Sequence, residues 1–134
     1  ACGLAYGVIP GMVERGRGSI IAISSIAGMR YLGYPHLAYG VTKAAVTHFT
    51  RMVAQQYAGQ GGRANTVVPG LIDTPIRAAM PEAARKEMLA KAAAALLVKR
   101  VGEGEDIAMQ ILAFMANGFA SGSIVYLDGG ALAT

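Results

Sequence analysis

The sequence predicts an α/β protein with a doubly wound parallel sheet of three strands and flanking helices. The run at 19–24 is rich in β-branched residues and lacks the polar alternation of a half-exposed strand, as is typical of a buried parallel strand, and two further short strands are predicted at 64–68 and 123–127. Helical patterns lie between these runs, and glycine or proline residues mark the turns. The resulting order of strand, helix, strand, two helices and strand is the alternation that a parallel sheet requires.

Local signals place each element in turn. The second helix ends at Gly59, the third begins at Pro81, and Gly118 follows the fourth as a C-cap would. No internal repeat or linker divides the chain, so residues 1–134 are expected to form one domain. The predicted elements are the end of a helix at 4–15, a strand at 19–24, a helix at 36–59, a strand at 64–68, helices at 81–97 and 105–117, and a strand at 123–127.

Composition excludes several classes of protein. The 134 residues are 54% hydrophobic and carry a net charge of +4, which suits a compact domain with a sizeable core. Basic residues at 85–100 alternate with acidic ones and have few aromatic neighbours, so a solvated helix face is expected and no nucleic-acid partner. The single Cys2 excludes an intrachain disulfide. His36 and His48 have no partners at metal-ligand spacing, so no metal site is predicted.

Apolar residues outside the strands receive ordinary interpretations. Met52, Met109 and Met115 are expected to fill the core. No apolar stretch reaches the length of a membrane span, and the first residues lack a signal-peptide pattern. A cytoplasmic protein without membrane contact is therefore expected.

Tyr39 and Lys43 are the most informative pair of residues in the chain. They are four positions apart in a predicted helix, so they share one helix face. A neighbouring cation favours the phenolate form of a tyrosine, which suits the phenol for acid/base work near neutral pH. Ser24 and Ser25 end the preceding strand, where a hydroxyl can hydrogen-bond a carbonyl or alcohol oxygen. The alternatives without a catalytic role are an ordinary half-buried Tyr–Lys pair on a helix and a strand that simply ends in two serines.

Five motifs, in order, resemble the C-terminal half of a short-chain dehydrogenase/reductase. The YxxxK pattern occurs often by chance, but the whole set at these spacings is specific to the family. The resemblance covers essentially the whole chain and implies a Rossmann-like fold. The motifs are GSIIAISSIAG at 18–28, YGVTK at 39–43, NTVVPGLIDTP at 65–75, RVGEGEDIA at 100–108 and SGSIVYLDGG at 121–130.

The resemblance implies a role for each residue of the first two motifs. Tyr39 would be the catalytic acid/base, and Ser25 would bind the substrate oxygen, with Ser24 as the competing candidate. Lys43 would favour ionisation of the phenol and hydrogen-bond the nicotinamide ribose. The segment from Ser25 to Tyr39 is about one residue longer than the family pattern, which a loop can absorb.

The third motif resembles the loop that packs against the nicotinamide. Pro69 and Gly70 would form its turn, and they would serve as a turn in any protein. The Ile72 backbone and the Thr74 side chain would hold the carboxamide. Residues 75–97 correspond to the mobile lid over the substrate.

At the level of function, the resemblance implies an NAD(P)-dependent oxidoreductase. Such an enzyme moves hydride between nicotinamide and a carbonyl or secondary alcohol of a small molecule, and the family favours dimers or tetramers. The sequence contains no TGxxxGIG-like turn for the pyrophosphate, and the residue that selects NAD or NADP belongs to the same half of the family's fold. Residues 1–134 are thus expected to be a partial Rossmann domain.

Two interpretations of this partial pattern stay open. The chain is either a fragment of a longer enzyme or a genuine half-domain with an unpaired edge on its first strand. A half-domain would act as a catalytically silent module for oligomerisation or protein interaction.

Overall fold

A three-stranded parallel sheet forms the centre of the protein. The computed structural model describes residues 2–133, apart from the side chain of Cys2. The strands are β1 (Gly18–Ile23), β2 (Gly62–Pro69) and β3 (Ile124–Leu127), in the spatial order β1-β2-β3. β1 pairs with β2 along its whole length, and β3 pairs with the second half of β2. The predicted fold class is therefore confirmed.

Helices connect the strands, because parallel strands need long crossover connections. α2 joins β1 to β2, and α3 and α4 join β2 to β3. The element bounds agree with the predicted ones to within about two residues, apart from short 3-10 helices at Ile26–Gly28, Ala58–Gln60 and Pro75–Arg77. The α-helices are α1 (Cys2–Glu14), α2 (Leu37–Tyr57), α3 (Glu82–Ala95) and α4 (Gly104–Ala116).

β2 is the most deeply buried element. It lies between the other two strands, and its residues Ala64, Val67 and Val68 are fully buried. Ala64 joins a core cluster with side chains of α1 and α2, including Ile9 and Val53. Apolar burial of this kind contributes about 25 cal/mol per Å², so the central strand and its two covering helices hold the fold together.

Polar side chains of β2 connect the sheet to the end of α4. The buried Asn65 amide donates to the Ala120 carbonyl at 2.8 Å and accepts from the Ser123 N–H at 3.0 Å. The Arg63 guanidinium donates to the carbonyls of Phe114 at 2.9 Å and Ala120 at 3.0 Å. Since the last carbonyls of a helix lack intrahelical partners, Arg63 satisfies two of them, those of Phe114 and Met115, and complements the helix dipole.

The prediction that methionines fill the core is wrong for three of them. Met52, Met109 and Met115 are all exposed. α2 packs on the sheet through Val53 and its neighbours, and α4 buries Phe114. The methionines lie on the opposite faces, because helix periodicity alone does not tell which apolar face meets the sheet.

Two kinds of feature are absent from residues 2–133. No helix there combines the length and apolar character needed to cross a membrane, and no cluster of three or more His, Cys, Asp or Glu side chains is placed to hold a metal ion. His36 instead stacks on Tyr31, with ring centroids 5.5 Å apart.

Candidate active site

The predicted site residues lie at the carboxyl-terminal edge of the sheet. Ser25 follows β1, Pro69 is the last residue of β2, and Gly70 comes directly after it. Gly70 donates its N–H to the Leu127 carbonyl at 2.9 Å, and a Cβ at this position would lie 2.7 Å from the Asp128 Cα. Only a glycine permits this approach of the two turns. Ligands bind in the crevice at this edge in doubly wound sheets.

Ser25 caps the short helix that follows β1. Its backbone is extended, and its Oγ accepts a hydrogen bond from the Ala27 N–H at 3.2 Å. A serine hydroxyl offers one proton and two lone pairs. The bond to Ala27 occupies one lone pair and leaves the proton available for an acceptor such as a substrate oxygen.

Ser24 is engaged inside the protein. Only 3% of its surface is exposed, and its Oγ donates to the Lys43 carbonyl at 2.8 Å. The same Oγ accepts from the Thr47 hydroxyl at 2.7 Å. Because the Ser24 proton is committed to a buried acceptor, Ser25 is the better placed of the two serines to contact a ligand.

Tyr39 and Lys43 share the first turns of α2. Tyr39 is 51% exposed, and its hydroxyl forms no hydrogen bond with any other group in residues 2–133. The Lys43 Nζ lies 5.5 Å from the centroid of the Tyr39 ring, within reach of a cation–π interaction. It also donates to the Ile23 carbonyl at 2.9 Å. The structure therefore brings Tyr39, Lys43 and the end of β1 together.

Two glycines let the Ser25 turn contact α2 closely. A Cβ at Gly28 would lie 2.6 Å from the Ala44 nitrogen, and one at Gly40 would lie 2.8 Å from the Ala27 oxygen. Real Cβ contacts are not this short, so any larger residue would push the turn and the helix apart. The turn after β1 and the helix that carries Tyr39 therefore meet backbone to backbone.

The loop after β2 is held in place by its own backbone contacts. Ile72 forms an isolated parallel bridge with Gly102. The Ile72 carbonyl also accepts a hydrogen bond from the Arg77 guanidinium at 3.2 Å. Thr74 precedes the short helix at 75–77, and its side chain makes no capping hydrogen bond. Its hydroxyl is thus available to another partner.

Residues 2–131 match a family model described as enoyl-(acyl carrier protein) reductase. A solved structure of a short-chain dehydrogenase/reductase of unknown function from Caenorhabditis elegans, with cofactor, has a TM-score of 0.88 and 28% identity. The match covers 99% of this chain and 52% of that one. The chain belongs to the short-chain dehydrogenase/reductase family.

Other members of the short-chain dehydrogenase/reductase family show the same partial coverage. The 3-oxoacyl-[acyl-carrier-protein] reductase FabG of Thermotoga maritima is 33% identical over 126 residues, which are 92% of this chain and 49% of the relative. A small-chain dehydrogenase in complex with NADPH has a TM-score of 0.80 and 31% identity, covering 90% of this chain and 53% of that one. The chain thus spans about half the length of the relatives it matches.

Two contacts at the candidate site were not predicted from the sequence. Arg85 of α3 places its Nη2 2.6 Å from both carboxylate oxygens of Asp73. The hydrogen bond to this carboxylate raises the pKa of Arg85 above its ordinary value. No spacing rule joins residues across an irregular loop. The contact of Thr47 with Ser24 had a usable signal, because Thr47 lies one helical turn after Lys43 on the same face.

Proposed function

We propose that the protein containing this chain catalyses NAD(P)-dependent hydride transfer between nicotinamide and a carbonyl or secondary alcohol. The observation that carries the proposal is the position of the Lys43 ammonium, between the Tyr39 ring and the strand end next to Ser25. Family membership supports it independently. The proposed substrate is a small molecule.

Each side chain has a distinct part in the proposed reaction. In the reducing direction, the Tyr39 hydroxyl gives its proton to the substrate oxygen, and Ser25 donates a hydrogen bond to that oxygen as negative charge develops on it. The Lys43 cation stabilises the phenolate that Tyr39 leaves behind. In the oxidising direction, Tyr39 takes the proton back.

The polar groups at this edge fit the nicotinamide half of the cofactor. We propose that Lys43 binds the ribose hydroxyls, while the Thr74 hydroxyl and the Ile72 backbone bind the carboxamide, above the turn formed by Pro69 and Gly70. The Ile72 carbonyl already accepts from Arg77, but a carbonyl has a second lone pair. The bound nicotinamide supplies or accepts the hydride.

Cofactor binding and turnover test the proposal separately. NADH and NADPH are each titrated into the purified chain while nicotinamide fluorescence is followed, and reduction of a panel of ketones and 3-oxoacyl thioesters is assayed. Lys43→Ala is expected to weaken cofactor binding, whereas Lys86→Ala, in an exposed ion pair of α3, leaves it unchanged. Tyr39→Phe is expected to abolish turnover, and Tyr34→Phe, on the exposed loop before α2, is the matched control.

A folded, monodisperse chain that binds neither nucleotide would contradict the proposal for these residues. So would full activity in Tyr39→Phe. Binding without turnover supports the cofactor contacts and rejects the catalytic roles.

Exposed apolar faces favour a second proposal, that the chain assembles into a homo-oligomer. α4 exposes Met109 and Leu112 on one face, and α1 exposes Leu4 and Tyr6 on different sides. Phe119, just after α4, is 99% exposed. Large apolar side chains gathered on a helix face mark interaction surfaces. An interaction module without catalytic activity would use the same faces.

Sedimentation velocity tests this assembly. Leu112→Glu and Tyr6→Glu are expected to shift the chain toward smaller species, and Lys91→Glu on the exposed α3 helix is expected not to. A monomeric parent chain would reject the second proposal, and an oligomer without nucleotide binding would favour it over the first.

A further inference from the structure

We propose that Ser24 and Thr47 are positioning residues that hold the Lys43 turn of α2 against the end of β1. Their hydroxyls set where the Lys43 backbone lies, and so where its ammonium reaches. The inference rests on the proposed function for the role of Lys43, but its geometry is testable without turnover.

The two hydroxyls form a buried bridge between strand and helix. Ser24 Oγ donates to the Lys43 carbonyl at 2.8 Å, and Thr47 Oγ1 lies 2.7 Å from Ser24 Oγ and 3.1 Å from the same carbonyl. Ser24 is 3% and Thr47 is 6% exposed, so water does not replace these bonds. An unpaired polar group at such a depth is costly.

Two consecutive residues at the end of β1 bind Lys43, one at its main-chain carbonyl and the other at its side-chain ammonium. The Ser24 hydroxyl donates to the Lys43 main-chain carbonyl, and the Ile23 carbonyl accepts a hydrogen bond from the Lys43 Nζ at 2.9 Å. A lysine side chain is long and flexible, and fixing it costs rotamer entropy. Anchoring the backbone next to the carbonyl that receives the ammonium limits the conformations in which Nζ can reach it.

A second buried hydroxyl pair supplies an internal control. Thr50 lies further along α2 and hydrogen-bonds Thr66 of β2, and both side chains are fully buried. This pair also joins helix to sheet, but it contacts neither Lys43 nor the end of β1. If hydroxyls on this helix face had only a structural role, removing either pair would affect the Lys43 ammonium equally.

The test compares hydroxyl removal at the two pairs. Thr47→Val keeps the shape of the side chain and removes its hydroxyl, while Ser24→Ala removes the central hydroxyl of the bridge. Thr47→Ser keeps the hydroxyl and is expected to restore parent behaviour. Thr50→Val is the matched control, and thermal unfolding establishes that each variant is folded.

The readout is the ¹H–¹⁵N signal of the Lys43 ammonium, recorded on the intact chain at low temperature and mildly acidic pH. Under these conditions, hydrogen bonding slows proton exchange and preserves the signal, which Lys43→Arg assigns. The signal is expected in the parent, Thr47→Ser and Thr50→Val, and to be lost or shifted in Ser24→Ala and Thr47→Val.

Two outcomes would overturn the proposal. One is an unchanged Lys43 signal in folded Ser24→Ala or Thr47→Val, with Thr47→Val deciding alone if Ser24→Ala does not fold. The other is an equal loss in Thr50→Val. Neither result depends on cofactor binding, so this inference can fail while the proposed function stands. Where turnover is measured, kcat is expected to fall while the KM for the carbonyl or alcohol substrate stays unchanged, because no contact with that substrate is removed.

Discussion

Arg85 of α3 is bound to Asp73 of the loop after β2, with Nη2 2.6 Å from each carboxylate oxygen. No residue of α3 is buried, so this ion pair is a principal tether of the helix. Asp73 lies between Ile72 and Thr74, the residues proposed to hold the carboxamide. The position of α3 is thereby connected to the proposed cofactor loop.

Removal of this tether is expected to loosen α3. Arg85→Ala should speed amide hydrogen exchange across residues 82–95 with little change in the free energy of unfolding, because a partly exposed ion pair adds little to global stability. Hydrogen exchange with mass spectrometry measures it. Lys86→Ala, which breaks an exposed pair with Glu82 inside α3, is the control. Equal exchange in the two variants would argue against a tether.

The ion pair between Arg100 and Asp106 predicts a stability that depends on acidic pH. The two guanidinium nitrogens of Arg100 each lie 2.7 Å from an Asp106 oxygen. These bonds, together with the Glu103 N–H, hold the pKa of Asp106 well below its ordinary value. The folded pKa is thus lower than the unfolded value of about 3.9. The contribution to stability is therefore present above about pH 4 and is lost as the pH falls toward the folded pKa.

Urea unfolding at several pH values between neutral and about pH 3 measures this contribution. Asp106→Asn is expected to reduce the loss of stability on acidification, while Glu105→Gln, on an exposed neighbouring residue, retains the parent dependence. The interpretation fails if Asp106→Asn and the parent respond identically to acid.

The buried Asn65 amide is expected to be important for stability. Asn65→Leu leaves the Ser123 N–H without its acceptor, at a cost of about 1–3 kcal/mol for that buried group, whereas the Ala120 carbonyl keeps its bond from Arg63. Chemical denaturation measures the loss. Asn117→Ala removes an exposed amide that accepts from the Phe119 N–H and is expected to cost under about 1 kcal/mol. Similar losses of unfolding free energy in the two variants would contradict the stabilising role of the buried Asn65 amide.

Gly28 is expected not to tolerate a side chain. Gly28→Ala would place its Cβ 2.6 Å from the Ala44 nitrogen and cost about 1–3 kcal/mol by overpacking. Gly59→Ala, whose Cβ meets nothing within 4 Å, is the matched control. A lowered melting temperature in the first variant alone supports the close contact of turn and helix, and equal melting temperatures refute it.

The sequence by itself determined the order and type of the elements. Apolar runs and turn residues such as Gly59 act over a few positions, so the predicted bounds of β1, β2 and α2 agree with the observed ones to within about two residues. The order of the motifs also indicated the family, because YGVTK, PGLIDT and the final DGG are short motifs that can be recognised in the sequence without knowledge of tertiary contacts.

Tertiary structure alone decided which side chains meet. Ser24 is engaged inside the protein and Ser25 is not, because of the way α2 packs against the end of β1. The Asp73–Arg85 ion pair depends on the path of an irregular loop. The same holds for exposed Met109, since an apolar helix face does not state whether it meets the sheet or solvent. Contacts between distant residues follow from packing, and local residue patterns do not encode them uniquely.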